Sequence, residues 1–242
     1  MISVAEIIFL VIIFLTNIVQ TITGFAGTVL AMPFSIRLIL MNEAKPILNA
    51  VALVASLFVV ILHFKDINWK ELWKMLLFLG VGFIAGFFVS PYLDRNDLFL
   101  QIYGLLIVMI AVIFYMDFNL DRAKIPSAVL FLILIAAGFL HQLYVSGGPL
   151  VVIYAHLKLK DKHEFRATLS FVWVILNTVM LGEHIFQGLW NVHMAIILAI
   201  GVGVSSLAVV IGHFLAKKIH PELFMRIAYI LLFISGASLL VG

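Results

Sequence analysis

The chain has 242 residues, of which 64% are hydrophobic and 11% are charged, and its formal net charge at pH 7 is +3. Soluble domains are about 45–50% apolar and about 25% charged, so this composition excludes a water-soluble globule and a disordered chain. The absence of Cys also excludes a disulfide scaffold and a Cys-ligated metal site.

Most apolar residues fall into runs long enough to cross a bilayer, which takes roughly 17–25 residues. The first run continues past any small-residue cleavage pattern and has no Lys or Arg before it, so we predict a membrane segment there rather than a signal peptide. Two shorter apolar stretches, 25–40 and 148–158, follow Gly-rich breaks and are interpreted as short crossings, with a re-entrant segment as the alternative for 148–158. The long predicted segments are 3–22, 46–64, 72–90, 98–116, 125–143, 167–184, 192–216 and 223–242.

The two halves of the chain resemble each other at a spacing of 121 residues. The matched pairs are Gly27 with Gly148, His63 with His184, Trp69 with Trp190, and Gly80-Val81-Gly82 with Gly201-Val202-Gly203. Hydrophobic sequences match by chance at Leu, Ile and Val, but less often at Trp, His and Gly. We therefore predict a polytopic, all-α membrane helix bundle, with one transmembrane domain over 1–242 made of repeat 1 (about 1–120) and repeat 2 (about 121–242).

The distribution of positive charge favours an inverted second repeat, because positively charged loops stay on the cytoplasmic side. If the short stretches 25–40 and 148–158 also cross the membrane, each half has five elements and the second half is inverted, so that all of the 15 Lys and Arg residues except Arg37, Lys45 and Arg95 fall on one side. Four crossings in each half would make the halves parallel and obey the rule less well. The inverted arrangement predicts a multi-pass protein of a prokaryotic inner membrane with both termini outside. The predicted cytoplasmic segments are 65–74, 117–124, 158–166 and 217–226.

Each half contains a Gly-rich break that interrupts a predicted helix. Broken helices at membrane depth are tolerated where protein or a watery cavity covers their backbone groups, and the start of a half-helix presents free N–H groups to an anion. Glycine lets a ligand approach the backbone. The alternative is that Gly24, Gly27, Gly147 and Gly148 only permit close helix packing or a kink.

The two breaks resemble those of the sulfite exporter TauE/SafE family of membrane permeases. The residues that carry this resemblance are Thr23-Gly24-Phe25-Ala26-Gly27 with Pro33, and Ser146-Gly147-Gly148-Pro149. Ala26 stands where a further Gly is expected. The resemblance spans the whole chain and implies transport of small anions, often sulfur-containing or organic acids.

Polar residues at and beside the breaks are the candidate substrate-binding residues, since large polar groups are costly to expose to lipid. Their alternative role is hydrogen bonding between helices. His141 is also the proton-coupling candidate, because a histidine can exchange protons near neutral pH. No His spacing indicates a metal site, and none is predicted. The candidates are Gln20, Thr23, Gly24, Ala26, Gly27, Thr28, Asn49, His141, Ser146, Gly147, Gly148 and Asn177.

The leading hypothesis is a secondary transporter that carries a small anion, such as sulfite, a sulfonate or a carboxylate, by alternating access between the repeats. Its expected partners are the anion, the lipid bilayer and a coupling proton or ion; no nucleic acid or cofactor is expected. Two alternatives stay open: a membrane subunit without transport activity of its own, and an intramembrane enzyme that uses Ser146 with His141.

Overall fold

The computed structural model describes residues 2–23, 27–93, 97–116, 125–159, 161–218 and 221–240, and every regular element in these ranges is a helix. This confirms the predicted all-α class. The elements are α1 (Val4–Thr23), α2 (Gly27–Leu38), α3 (Met41–His63), a 3-10 turn (Phe64–Asp66), α4 (Trp69–Leu93), α5 (Asp97–Tyr115), α6 (Ser127–Tyr144), α7 (Gly148–Lys158), α8 (Lys162–Phe186), α9 (Val192–Lys218) and α10 (Pro221–Leu240).

Seven of the described helices are long and apolar enough to cross a membrane: α1, α3, α4, α5, α6, α8 and α9. Large apolar side chains on their outer surfaces are exposed, among them Ile61, Leu77 and Phe88. Such a surface is stable against lipid rather than water, because exposing this much apolar area to water is unfavourable. The protein is therefore a multi-pass membrane helix bundle.

The short helices α2 and α7 do not reach across a bilayer. They have 12 and 11 residues, which gives lengths of about 18 and 16 Å against a hydrocarbon core about 30 Å thick. These lengths favour the re-entrant alternative for 148–158 and indicate the same for 25–40, where a crossing was predicted. Each short helix follows a break and, with the helix before it, forms a hairpin; we call these the α1–α2 hairpin and the α6–α7 hairpin.

Polar contacts mark the two ends of the bundle. At one end, the carboxylate of Glu6 on α1 lies 2.5 Å from Nε2 of His193 on α9; we call this the Glu6 end. At the other, the Asn68 side chain donates to the Glu164 carboxylate over 2.5 Å, and the Asn68 N–H donates to the Thr168 hydroxyl over 3.0 Å. We call this the Asn68 end.

The two hairpins approach from opposite ends. Near the end of α2, Arg37 donates to the carbonyl of Ser238 at the end of α10, on the Glu6 side of the bundle. On α7, the Tyr154 hydroxyl donates to the carboxylate of Glu71 over 2.8 Å, close to the start of α4 at the Asn68 end. The hairpin tips consequently face each other inside the bundle.

Helix pairing follows the order expected from a duplicated chain. The most extensive contacts are α1 with α9, α4 with α6, α3 with α8, and α5 with α10. If α1–α5 correspond to α6–α10 in order, the repeat relation converts the α1–α9 pair into the α6–α4 pair. It converts the α3–α8 pair and the α5–α10 pair each into itself. The duplication and its inversion stay predictions, and this pairing is the arrangement that they require.

Candidate functional site

A small polar pocket lies where the tips of the two hairpins meet α3 and α8. Its volume is about 20 Å³, enough for about one water molecule. We call it the tip pocket. It is lined by Gln20, Thr28, Ala52, Ser56, His141, Val145, Gly148, Trp173 and Asn177.

Both short helices begin at the tip pocket. Thr28 is the second residue of α2 and Gly148 is the first of α7, and both line it. The first N–H groups of a helix have no partner within the helix and carry a partial positive charge. Two such helix starts therefore direct positive potential toward one small space, and its lining residues include no Asp or Glu.

A hydrogen-bond network of buried side chains forms one wall of the pocket. Nε2 of His141 lies 2.9 Å from Oδ1 of Asn177, and the Asn49 side chain donates to the backbone carbonyl of Asn177 over 3.1 Å. Because an amide oxygen only accepts hydrogen bonds, Nε2 of His141 is the donor. The His141 ring also stacks on Trp173, with centroids 5.0 Å apart.

Two polar atoms of this network have no partner: Oδ1 of Asn49 and Nδ1 of His141. Both side chains are buried, with 0% and 3% exposure. An unpaired buried polar atom costs about 1–3 kcal/mol, and natural proteins keep few of them without a functional reason. Within the described part of the chain, the network can therefore accept further hydrogen-bond partners.

The first break depends on Gly27 because of Gln20. A Cβ atom at Gly27 would collide with the carboxamide of Gln20, which lies across the start of α2. The glycine therefore allows the Gln20 side chain to reach the tip pocket. Gly24 and Ala26, and the side chain of Thr23, lie outside the described residues.

The second break is held by packing within its own hairpin and by a hydrogen bond from α5. A Cβ at Gly147 would collide with the backbone carbonyl of Ala137. The Ser146 hydroxyl accepts from Tyr103 over 2.5 Å and donates to the carbonyl of Tyr144 over 2.8 Å. These contacts give Gly147 and Ser146 structural roles beside the pocket, and neither residue lines it.

Val145 connects α6 to the second break in a left-handed conformation, with φ 54° and ψ 31°. This conformation is unfavourable for a β-branched residue and costs on the order of 1–3 kcal/mol. Val145 lines the tip pocket. Strain of this kind persists where the surrounding structure imposes it, as at binding sites.

A second, much larger cavity of about 610 Å³ lies between α1, α3, α8 and α9. It shares Gln20, Ser56 and Trp173 with the tip pocket, and it extends to His63 and Arg166 at the Asn68 end. Most of its other lining residues are apolar. The two cavities therefore adjoin at Gln20, Ser56 and Trp173.

A buried cation lies toward the opposite end. The predicted segment began at residue 46, but α3 begins at Met41 and buries Lys45 to 8% exposure. Within the described residues, neither ring nitrogen of the buried His184 has a hydrogen-bond partner. At the 121-residue spacing, Lys45 corresponds to Arg166 and His184 corresponds to His63.

The structure brings some of the candidate binding residues together at the tip pocket. Five of them line the tip pocket: Gln20, Thr28, His141, Gly148 and Asn177. Asn49 bonds to one of these five, and Gly27 packs against another. Ala52, Ser56 and Trp173 line the pocket but were not among the predicted candidates.

The chain is similar to known membrane proteins. The family model described as "Sulfite exporter TauE/SafE" matches residues 9–239. The chain is also similar to the "Probable inner membrane transporter protein TsaS" of Comamonas testosteroni, with 24% identity over 180 residues that cover 74% of this chain and 74% of that protein. No solved structure matches the chain.

Proposed function

The chain belongs to the sulfite exporter TauE/SafE family, and we propose that it is a secondary transporter that binds a small anion at the tip pocket, whose volume of about 20 Å³ must expand toward the adjoining large cavity to admit the anion. It is a multi-pass transporter of the inner membrane. The observation that carries the proposal is the meeting of two helix starts at a polar pocket without a carboxylate in its lining. The proposed substrate class is a sulfur-containing or organic acid anion, such as sulfite, a sulfonate or a carboxylate.

The proposed binding mode uses backbone N–H groups rather than a side-chain cation. Each helix start contributes about 0.3–1 kcal/mol toward an anion, and more where it is partly buried. The Thr28 hydroxyl and the Gln20 carboxamide add donors, each worth about 0.5–1.5 kcal/mol as a hydrogen bond. His141 contributes a further donor at Nδ1 when it is protonated.

Alternating access is proposed to follow from movement between the two repeats. The large cavity would be the path to one side of the membrane, with Arg166 and His63 at its mouth. Lys45 and His184, their counterparts at the repeat spacing, are buried toward the Glu6 end. In the transporter state that opens at the Glu6 end, Lys45 and His184 would be exposed. Each side of the membrane would then have a cation next to the anion path.

The proposal is tested by a thermal-shift screen of the purified protein against sulfite, methanesulfonate and acetate. A ligand at 100 times its Kd stabilises the native state by about 2.7 kcal/mol, which raises the Tm of a chain of this size by roughly 5–10 °C. We expect one anion class to give a saturable shift while ammonium and choline salts give none. Shifts only with cations would contradict anion binding.

The membrane orientation is testable because the chain has no Cys. Lys65→Cys and Lys162→Cys place single thiols at exposed positions of the Asn68 end, and Asn42→Cys and Asn191→Cys place them at the Glu6 end. We expect an impermeant thiol reagent to label the first pair only from the cytoplasm and the second pair only from outside. Labelling in the reverse sense would contradict the proposed orientation.

Proton coupling is proposed to use His141, which is buried beside the second break. His141→Gln keeps a polar side chain but removes the titrating group, so we expect the pH dependence of transport to flatten. His213→Gln, at an exposed histidine of the large cavity, is the matched control. If only the control flattened the profile, His141 would have no part in coupling.

A further inference from the structure

Three metal-ligating side chains meet at the Asn68 end, outside the tip pocket. His63 is the last residue of α3, Asp66 ends the 3-10 turn that follows, and His163 is the second residue of α8. One ligand atom from each side chain lies within 4.8 Å of the corresponding atoms of the other two. Nδ1 of His63 is 3.2 Å from Oδ2 of Asp66, and the two imidazole rings have centroids 5.8 Å apart.

The donor set selects a class of ion. Two imidazoles and one carboxylate suit Zn²⁺, Co²⁺ or Ni²⁺, whereas Mg²⁺ and Ca²⁺ prefer sites made entirely of oxygen ligands. A tetrahedral ion with bonds of 2.0–2.2 Å needs its ligand atoms about 3.4 Å apart. His63 and Asp66 already meet this spacing, with Nδ1 and Oδ2 3.2 Å apart. The ligand atom of His163 lies within 4.8 Å of both, so it must approach by at most about 1.4 Å. Side-chain rotation allows this approach, because His163 is exposed and the side chains of His63 and Asp66 have exposures of 29% and 40%.

The surrounding backbone holds the two sides of the cluster in place. The Asp161 carboxylate accepts the N–H groups of His163 and Glu164 over 2.9 Å, which caps α8 and fixes the position of His163. These bonds also hold the pKa of Asp161 below its usual range. The Glu164 carboxylate accepts from Asn68. Two anionic groups thus lie beside the cluster and partly offset the positive charges of Lys65 and Lys162.

We propose that His63, Asp66 and His163 form a binding site for a divalent transition-metal ion that links the end of α3 to the start of α8. Water completes the coordination. His63 also lines the large cavity, so the bound ion lies at the cavity mouth and holds α3 and α8 in the arrangement of this structure at that end. Residues a hundred positions apart build the site, so no local spacing in the sequence indicates it.

The test is metal binding by the purified full-length protein, which does not depend on the proposed transport function. Micromolar Zn²⁺ is expected to raise the Tm in a saturable way that EDTA reverses, and Co²⁺ to give the visible absorption of a tetrahedral site. Mg²⁺ is expected to give neither effect. His163→Gln, at an exposed position, should weaken the apparent affinity by about tenfold or more, since even loss of a second-shell partner costs 10–100-fold.

Two further variants make the result decisive. Asp66→Asn nearly conserves the shape of the side chain but removes the carboxylate, and it should weaken Zn²⁺ binding to a similar extent. His213→Gln removes an exposed histidine of α9 outside the cluster, and should leave the affinity unchanged. Equal Zn²⁺ affinity in the wild type, His163→Gln and Asp66→Asn, or a wild-type response no stronger than that to Mg²⁺, would overturn the proposal.

Discussion

Asn177→Asp is expected to lower the affinity for the transported anion by about a thousandfold. The substitution is nearly isosteric, and the Asp side chain can still accept from Nε2 of His141, which lies 2.9 Å from Oδ1 of Asn177. It adds a negative charge to the wall of the tip pocket. Two like charges about 4 Å apart repel by about 4 kcal/mol at an effective dielectric constant of 20, and each 1.4 kcal/mol is tenfold in affinity.

The measurement is anion affinity by thermal shift or uptake, made above the pH range in which histidine titrates, so that a protonated His141 does not neutralise the new charge. Asn191→Asp is the matched control, because Asn191 is exposed at the Glu6 end and its Oδ1 accepts the N–H of Met194, a role that Asp retains. A folded Asn177→Asp protein with wild-type affinity would place the anion site elsewhere.

Gly27→Leu is expected to weaken anion binding markedly with little loss of fold. The new side chain would collide with Gln20 and displace its carboxamide, and a misfitting side chain of this kind costs about 1–3 kcal/mol. The start of α2 would then be covered, so the anion would lose its N–H groups and its Gln20 contact. The combined loss of about 1–3 kcal/mol corresponds to roughly 5–150-fold in affinity.

Gly203→Leu is the control for this variant, because a Cβ at Gly203 on α9 would meet nothing within 4 Å. It should fold and bind the anion like the wild type. Gly27→Leu protein that keeps the wild-type Tm and affinity would show that the first break is a packing feature only. The measurement is the Tm of each purified variant with and without the anion.

The fold was largely predictable because hydropathy and segment length dominate helix formation in a membrane. All eight long apolar runs became helices, and both short stretches became short helices. The predicted ends of the segments were less accurate where charged residues extend a helix beyond its apolar run. α3 begins five residues before the predicted segment, and α8 includes a charged first turn that Asp161 caps. Lys45 was therefore expected in a loop rather than within a buried helix.

The candidate site was predictable where a polar residue interrupts an apolar run. Gln20, His141 and Asn177 are conspicuous for this reason. Ala52 and Trp173 carry no such signal, because the sequence does not reveal which face of a membrane helix points inward when lipid and protein interior are equally apolar. The structural role of Ser146 was also hidden, since its partner Tyr103 lies 43 residues away on α5.

Anion transport through the tip pocket is tested most directly by uptake of ³⁵S-labelled sulfite, ³⁵S-labelled methanesulfonate and ¹⁴C-labelled acetate by liposomes that contain only the purified chain. We expect saturable uptake of at least one of these anions without any added partner, and loss of that uptake in Asn177→Asp but not in Asn191→Asp. Absence of uptake for all three anions would instead support a membrane subunit that needs a partner. Equal uptake by wild-type and Asn177→Asp liposomes would contradict transport through the tip pocket.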